Sequence, residues 1–211
     1  MLGLGNSLAR GGVPGLPNKY SLAFDGSNDY VDLTSVGFAL DDNSSGAISF
    51  WFNADNADVE GATEHIFSAR DGSTNTRVYI KLVASGLITI TMGDGQQEIT
   101  DLPYVAGVWN YIVLSWASDV GTVYLNGELH GTTVSAITAG AGSNSYQLML
   151  GAYALSVASY NYAGELSNVQ IWDKAWSLTD VQYAYTHPER LITHNSAVTS
   201  GTTISNLKAW Y

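Results

Sequence analysis

The sequence predicts an all-β fold of short antiparallel strands with one minor helix, and three observations carry that expectation. The first is composition: 22 glycines stand beside only 4 prolines, amid abundant Val, Ile, Tyr and Trp and many Ser, Thr, Asn and Asp residues. That is a mixture of strand formers and turn formers. The second is spacing, because apolar runs recur with Gly, Asn, Asp or Ser between them, too closely for helical crossovers. The third is Asn126-Gly127, set between two such runs and the strongest short hairpin signal in the chain.

Bulk properties narrow the possibilities further. A chain of 211 residues is ordinary for one all-β domain. With 45% apolar, 11% aromatic and 13% charged residues it can bury a large core and carries too little charge to stay disordered. A net charge of -11, with eight dispersed basic residues, repels phosphate backbones and argues against nucleic acid and anionic membranes as partners. No cysteine is present, so disulfides, thiolate metal sites and cysteine nucleophiles are excluded. Neither a signal-peptide core nor a membrane-spanning run interrupts the pattern.

Taken in order, residues 1–18 contain Gly11-Gly12, Pro14-Gly15 and Pro17-Asn18, which break any regular element and predict a flexible or partner-ordered arm. Strands are expected at Tyr20–Phe24 and Tyr30–Leu33 around the turn Asp25-Gly26-Ser27-Asn28-Asp29, then at Ala47–Asn53, His65–Ala69, Arg77–Val83, Leu87–Met92 and Gln97–Thr100. The second half continues with Trp109–Trp116, Thr122–Leu125, Glu128–Val134, Gln147–Ala152 and Gly164–Trp172. Trp109, Tyr111 and Val113 share one face of their strand and Ile112, Leu114 and Trp116 the other, so that strand should be central. Ser177–Tyr185 reads as a helix, with Ser177 as cap, Asp180 as its acidic partner, and Leu178, Val181 and Tyr185 on one face. The expected organisation is an arm at 1–18, a domain at 19–190, and an extension at 191–211 that docks on a neighbour or begins a further module.

Three blocks in order resemble the laminin G-like, or concanavalin A-like, superfamily. They are Leu22-Ala23-Phe24-Asp25-Gly26-Ser27-Asn28-Asp29-Tyr30-Val31; Trp109–Val113 with Val123-Tyr124-Leu125-Asn126-Gly127; and Leu150-Gly151 with Tyr162–Trp172. Together they span roughly residues 20–185, and the resemblance implies a two-sheet antiparallel jelly-roll sandwich. The flanks resemble, in composition only, those of structural proteins of tailed or marine viruses.

Calcium is the cofactor to weigh, since a turn rich in carboxylates and free carbonyls can supply oxygen ligands. In the family the Phe-Asp-Gly turn often binds calcium with backbone near the last strand. The resemblance therefore implies Asp25 and Gly26 as ligands, with Asn28 and Asp29 of the same turn and Ser167, which stands where the family has an aspartate. The alternative is that Asp25 caps its own turn. The stretch Asn56–Gly61 resembles half of an EF loop, but its closing position is Phe67.

For glycans the chemistry needed is an aromatic platform plus planar polar groups, and Tyr146, Tyr153, Tyr160, Asn161 and Tyr162 supply that mixture near one loop. They could equally pack on a neighbouring subunit. Trp51, Trp109, Trp116 and Trp172 belong to the core by their strand pattern. Asn43-Ser44-Ser45 is a glycosylation acceptor only in a eukaryotic secretory setting. No strand carries the alternating acids that glycoside hydrolysis requires, and Glu60 and Glu64 sit on a loop. The four histidines are scattered, with no metalloprotease or nucleophile-elbow motif.

These readings converge on a non-catalytic module at a virion or particle surface, acting in assembly or host attachment with other subunits as partners and a homo-oligomeric state. The alternative is a free or cell-surface, extracellular lectin for glycans. A glycoside hydrolase ranks last.

Overall fold

A computed structural model describes residues 20–36, 45–56, 63–70, 76–84, 86–92, 97–118, 120–134, 147–153, 160–194 and 200–211. The expected arm at 1–18, Asn43, Glu60 and Tyr146 lie outside these residues. The strands are β1 (Leu22–Asp25), β2 (Val31–Asp32), β3 (Ser45–Ala54), β4 (Glu64–Arg70), β5 (Thr76–Val83), β6 (Leu87–Met92) and β7 (Gln97–Pro103). They continue as β8 (Asn110–Ala117), β9 (Val120–Leu125), β10 (Glu128–Val134), β11 (Gln147–Leu150), β12 (Ala163–Trp172) and β13 (Leu207–Trp210), with helix α1 at Leu178–Thr186.

They form two antiparallel sheets. One runs β1-β12-β3-β8-β9-β10, with β13 also on β12, and the other runs β2-β11-β4-β5-β6-β7. The β9–β10 hairpin turns on Asn126 and Gly127, both with positive φ (53° and 84°). That mirror-image turn matches the strand twist and is why Asn-Gly is favoured there. Asn126 also accepts the Tyr111 N–H on its Oδ1 at 2.8 Å, tying the turn to the neighbouring strand.

The layers follow from alternation along each strand. Ile112, Leu114 and Trp116 of β8 point between the sheets, where they meet Ile48, Phe50, Phe67, Ile80 and Ile90. The opposite side of the same strand, Tyr111 and Val113, joins Trp51, Trp172 and Trp176 in a second apolar cluster. β8 is thus buried on both faces and lies between β3 and β9, as its sequence requires. Trp51, Trp109, Trp116 and Trp172, expected in the core, are all buried. Gly46 marks the tightest approach: a Cβ there would come within 2.1 Å of the Trp116 ring.

Helix α1 closes the second cluster. Ser177 caps it, accepting the Asp180 N–H, while the Asp180 carboxylate accepts the Ser177 N–H at 2.7 Å. Its buried face is Asp180, Val181 and Ala184, and Tyr185 stacks on Trp51 with ring centroids 5.5 Å apart. Leu178 departs from expectation: the buried face is rotated away from it and leaves it exposed.

The residues after 190 pack on the strands before them. Leu191 and Ile192 are buried in the outer cluster, and β13 pairs with Gln170, Ile171 and Trp172 of β12. β1 pairs with the other half of the same edge, Ala163 to Leu166, so the two ends of the described chain share one strand as partner. The join is polar. Asn168, buried with φ 52°, accepts from the Trp210 indole at 2.6 Å and from the Gln170 amide at 2.9 Å, and its own amide donates to the Pro188 carbonyl. Asp173 accepts from Asn206 and pairs with Lys208. Burial pushes its carboxyl up, but these partners outweigh that and hold it below its ordinary value.

Candidate functional site

The six-stranded sheet has one face in the core. Register alone assembles a row across its outer face, Asp32, Met149, Ser68, Tyr79, Thr91 and Glu98, one residue from each strand, of which Asp32 and Glu98 are exposed and the four between them buried. Beside it runs His65, Lys81 and Thr89. Each alternates with core residues such as Val78 and Ile80, so the two-residue period of the strand dictates the placement.

Over this face lie Tyr153 and Tyr160. His65 donates its backbone N–H to the Tyr160 carbonyl at 2.9 Å and forms an isolated parallel bridge with Asn161. A bulge between His65 and Phe67 lets Ile66 and Phe67 both enter the core and leaves the imidazole on the outer face, against Tyr153 and Tyr160. Four rings gather there. The His65 ring centroid lies 4.9 Å from Tyr79, 5.0 Å from Tyr153 and 5.8 Å from Tyr160. Tyr153 is 5.3 Å from Tyr79 and 5.9 Å from Tyr160, and the Arg70 guanidinium sits 4.6 Å above its ring. Tyr160 holds φ at 73° and remains 43% exposed. A bulky residue in that conformation is a strained placement that a surrounding structure must enforce.

The result is a depression of about 300 Å³ whose floor is His65, Tyr79 and Thr91 and whose rim is Thr63, Lys81, Glu98, Tyr153 and Tyr160. The Lys81 ammonium donates to Glu98 Oε1 at 3.1 Å, and Thr91 Oγ1 donates to the same oxygen at 3.0 Å. Burial, then the nearby charges of Lys81 and Arg70, push the His65 imidazole down to about 3, so it is neutral at physiological pH. Rings, a neutral imidazole, a hydroxyl and an ion pair side by side can stack on a sugar face and bond its hydroxyls.

Of the glycan residues expected from sequence, Tyr153 and Tyr160 meet here. Tyr162 is a correction: its ring is fully buried between the sheets, 5.8 Å from Phe24, and its hydroxyl donates to the Glu165 carbonyl. Asn161 is committed as well, its amide donating to the Ser27 carbonyl. His65, Tyr79, Lys81, Thr91 and Glu98 were not singled out by sequence reasoning. The available signal was alternation: a tyrosine and a lysine interleaved with Val78, Ile80 and Leu82 must face away from the core.

The calcium expectation fails a test of fit. Asp25 Oδ1 accepts the Ser27 N–H at 2.8 Å and the Asn28 N–H at 3.4 Å, and Asp29 Oδ2 accepts the Asp25 N–H at 3.0 Å. Both carboxylates serve their own turn, the capping alternative. Gly26 has φ 75° and donates to the Tyr162 carbonyl, the role of a turn glycine. Ser167 lies at the far end of β1, its hydroxyl on the Tyr20 carbonyl, whereas Asp25 pairs with Ala163. Among the described residues no group of three or more His, Asp or Glu side chains could hold a metal ion. Phe67, at the closing position of the EF-like stretch, is a core ring. Glu64 accepts the Ala163 N–H at 3.1 Å; burial pushes its carboxyl up, the backbone bond opposes this, and Asp55 adds to the rise.

A wider and more open depression of about 530 Å³ lies between the Asn126-Gly127 turn and α1. Its rings already stack on protein partners: Tyr185 on Trp51 and Tyr111, and Tyr183 on His187 at 4.3 Å.

The family description "Concanavalin A-like lectin/glucanases superfamily", of laminin G type, matches residues 25–182. Among solved structures, a heptameric SAP-like pentraxin from Limulus polyphemus aligns at 17% identity over 82% of this chain and 79% of that one, with a TM-score of 0.54. The CBM40 module of a Ruminococcus gnavus IT-sialidase, bound to alpha2,3 sialyllactose, aligns at 17% identity over 79% and 97%, with a TM-score of 0.61. A Trypanosoma rangeli sialidase aligns at 11% identity over 80% of this chain but only 27% of its own, with a TM-score of 0.63. No curated protein matches the chain.

Proposed function

Because this chain belongs to the concanavalin A-like lectin/glucanases superfamily, we propose that it is a non-catalytic carbohydrate-binding module whose site is the outer face of the six-stranded sheet. One observation carries the reading: Tyr79, Tyr153 and Tyr160 converge on a neutral His65 directly beside the Lys81–Glu98 pair. Aromatic rings bind sugar faces, and adjacent donors and acceptors fix the hydroxyls. The glycan named for the Ruminococcus gnavus relative supports the ligand class, as does the lectin-like fold.

A screen of immobilised glycans against the whole chain and its Tyr153→Ala, Tyr160→Ala double variant tests this. The expected result is binding by the parent and a loss of about tenfold or more in the variant, the scale of losing a buried aromatic anchor. A parent that binds no glycan, or a variant that binds as well, contradicts the proposal.

A second reading, a subunit module of a larger particle, draws on the sheet edge where the two ends of the described residues meet. Tyr20, Trp210 and Tyr211 are all exposed along β12, and aromatic residues are enriched at subunit interfaces. Sedimentation velocity over a concentration series separates the readings: self-association that Tyr20→Ser, Tyr211→Ser weakens supports the edge as an interface, and a monomer at every concentration removes it.

A further inference from the structure

The polar equipment of the depression is more selective than its rings. Lys81 is on β5 and Glu98 on β7, and the register sets Lys81 beside Thr89 and Glu98 beside Thr91 on the intervening β6. The pair therefore bridges diagonally over one strand. Both side chains keep solvent access, 21% for Lys81 and 40% for Glu98, so a ligand can reach them. An ammonium has three hydrogens and a carboxylate several lone pairs. The single contact between them leaves donor and acceptor capacity side by side.

Charge at this point is balanced. Among the described lining residues Lys81 is the one cation and Glu98 the one carboxylate, while His65 is neutral. Arg70, a second cation among the described residues nearby, is held over the Tyr153 ring and is not among the described lining residues.

We propose that the depression selects neutral pyranosides presenting two adjacent hydroxyls and rejects carboxylated sugars, with Lys81 and Glu98 as the discriminating residues. One hydroxyl accepts from the Lys81 ammonium while its neighbour donates to the Glu98 carboxylate. A hydroxyl can do either, so a diol satisfies both ends of the pair without breaking it. A sugar carboxylate only accepts. It can reach Lys81 only beside Glu98, a like charge, and Lys81 is already neutralised. This selectivity rests on the reading of the depression as a glycan site, and the two fail in different ways.

The test is a saturation-transfer NMR titration of the whole chain with matched probes: methyl glucoside against methyl glucuronoside, methyl galactoside against methyl galacturonoside, and lactose against 3′-sialyllactose. At least one neutral probe should bind about tenfold more tightly than its acidic counterpart, the scale of one mismatched polar contact. Glu98→Gln keeps the size of the side chain and removes its charge. It should weaken the neutral probe and strengthen the acidic one, so that the preference shrinks about tenfold. A gain for the acidic probe cannot arise from misfolding, and circular dichroism checks the fold of each variant. Acidic probes that bind the parent as well as neutral ones, or a preference unchanged in Glu98→Gln, overturn the selectivity while the glycan site stands. Failure of every probe to bind overturns the site and the selectivity together.

Discussion

The outer faces of the two sheets are built from similar residues and put to opposite uses. On the seven-stranded sheet, Trp51, Tyr111, Trp172 and Trp176 are sealed beneath α1 and the segment that follows it. On the six-stranded sheet, Tyr79 and His65 are buried against Tyr153 and Tyr160, while Tyr160 and the Lys81–Glu98 pair reach solvent. Covering a sheet with a capped helix turns aromatic area into stability. The proposed site instead keeps one ring and an ion pair at the surface.

Breaking the sealed face should produce the largest effect. Trp51→Ala removes a fully buried ring that packs on Tyr111 and Tyr185, and should cost about 3–5 kcal/mol in a denaturant melt. The same truncation on the outer face of the six-stranded sheet, Tyr153→Ala, should cost far less stability and instead remove glycan affinity. Comparable losses of stability from the two would erase the distinction between the faces.

Acid probes the same face next. The His65 imidazole titrates at about 3 in the folded chain and near its ordinary 6.5 when unfolded. Between those values the unfolded chain holds more protons, so stability is full above pH 6.5 and declines as pH falls towards 3, by roughly 1 kcal/mol per pH unit. His65→Gln should lose less melting temperature than the parent over that range. An equal loss would show that the imidazole is not buried.

Smaller effects sharpen the account of the sealed face. Gly46→Ala forces a methyl against Trp116 and should cost about 1–3 kcal/mol by thermal melting. Ser177→Ala breaks the reciprocal cap with Asp180 and should cost about 1 kcal/mol.

The sequence made local chemistry legible and long-range pairing much less so. Leu87–Met92 and Glu128–Val134 have the strand bounds that alternation and turn residues specify, and the Ser177 cap sits where its spacing with Asp180 places it. Leu207–Trp210 lies in the expected extension at 191–211, and nothing local to it identifies β12 as its partner. The same limit governed the site. Tyr153 and Tyr160 were visible as a loop pair. The bulge that turns His65 outward, and the register that brings Lys81 and Glu98 together across β6, depend on neighbours distant in sequence. Tyr162 shows the converse error: adjacent to Asn161 in a polar, aromatic stretch, it points between the sheets because the strand it precedes has its own inward period.

A heteronuclear NMR titration with whichever neutral oligosaccharide binds most tightly tests the central claim most directly. The largest shifts should fall on His65, Tyr79, Lys81, Glu98, Tyr153 and Tyr160, on the outer face of the six-stranded sheet. Shifts concentrated instead on Glu128, Gln182 and Tyr183, beside the helix, would contradict it.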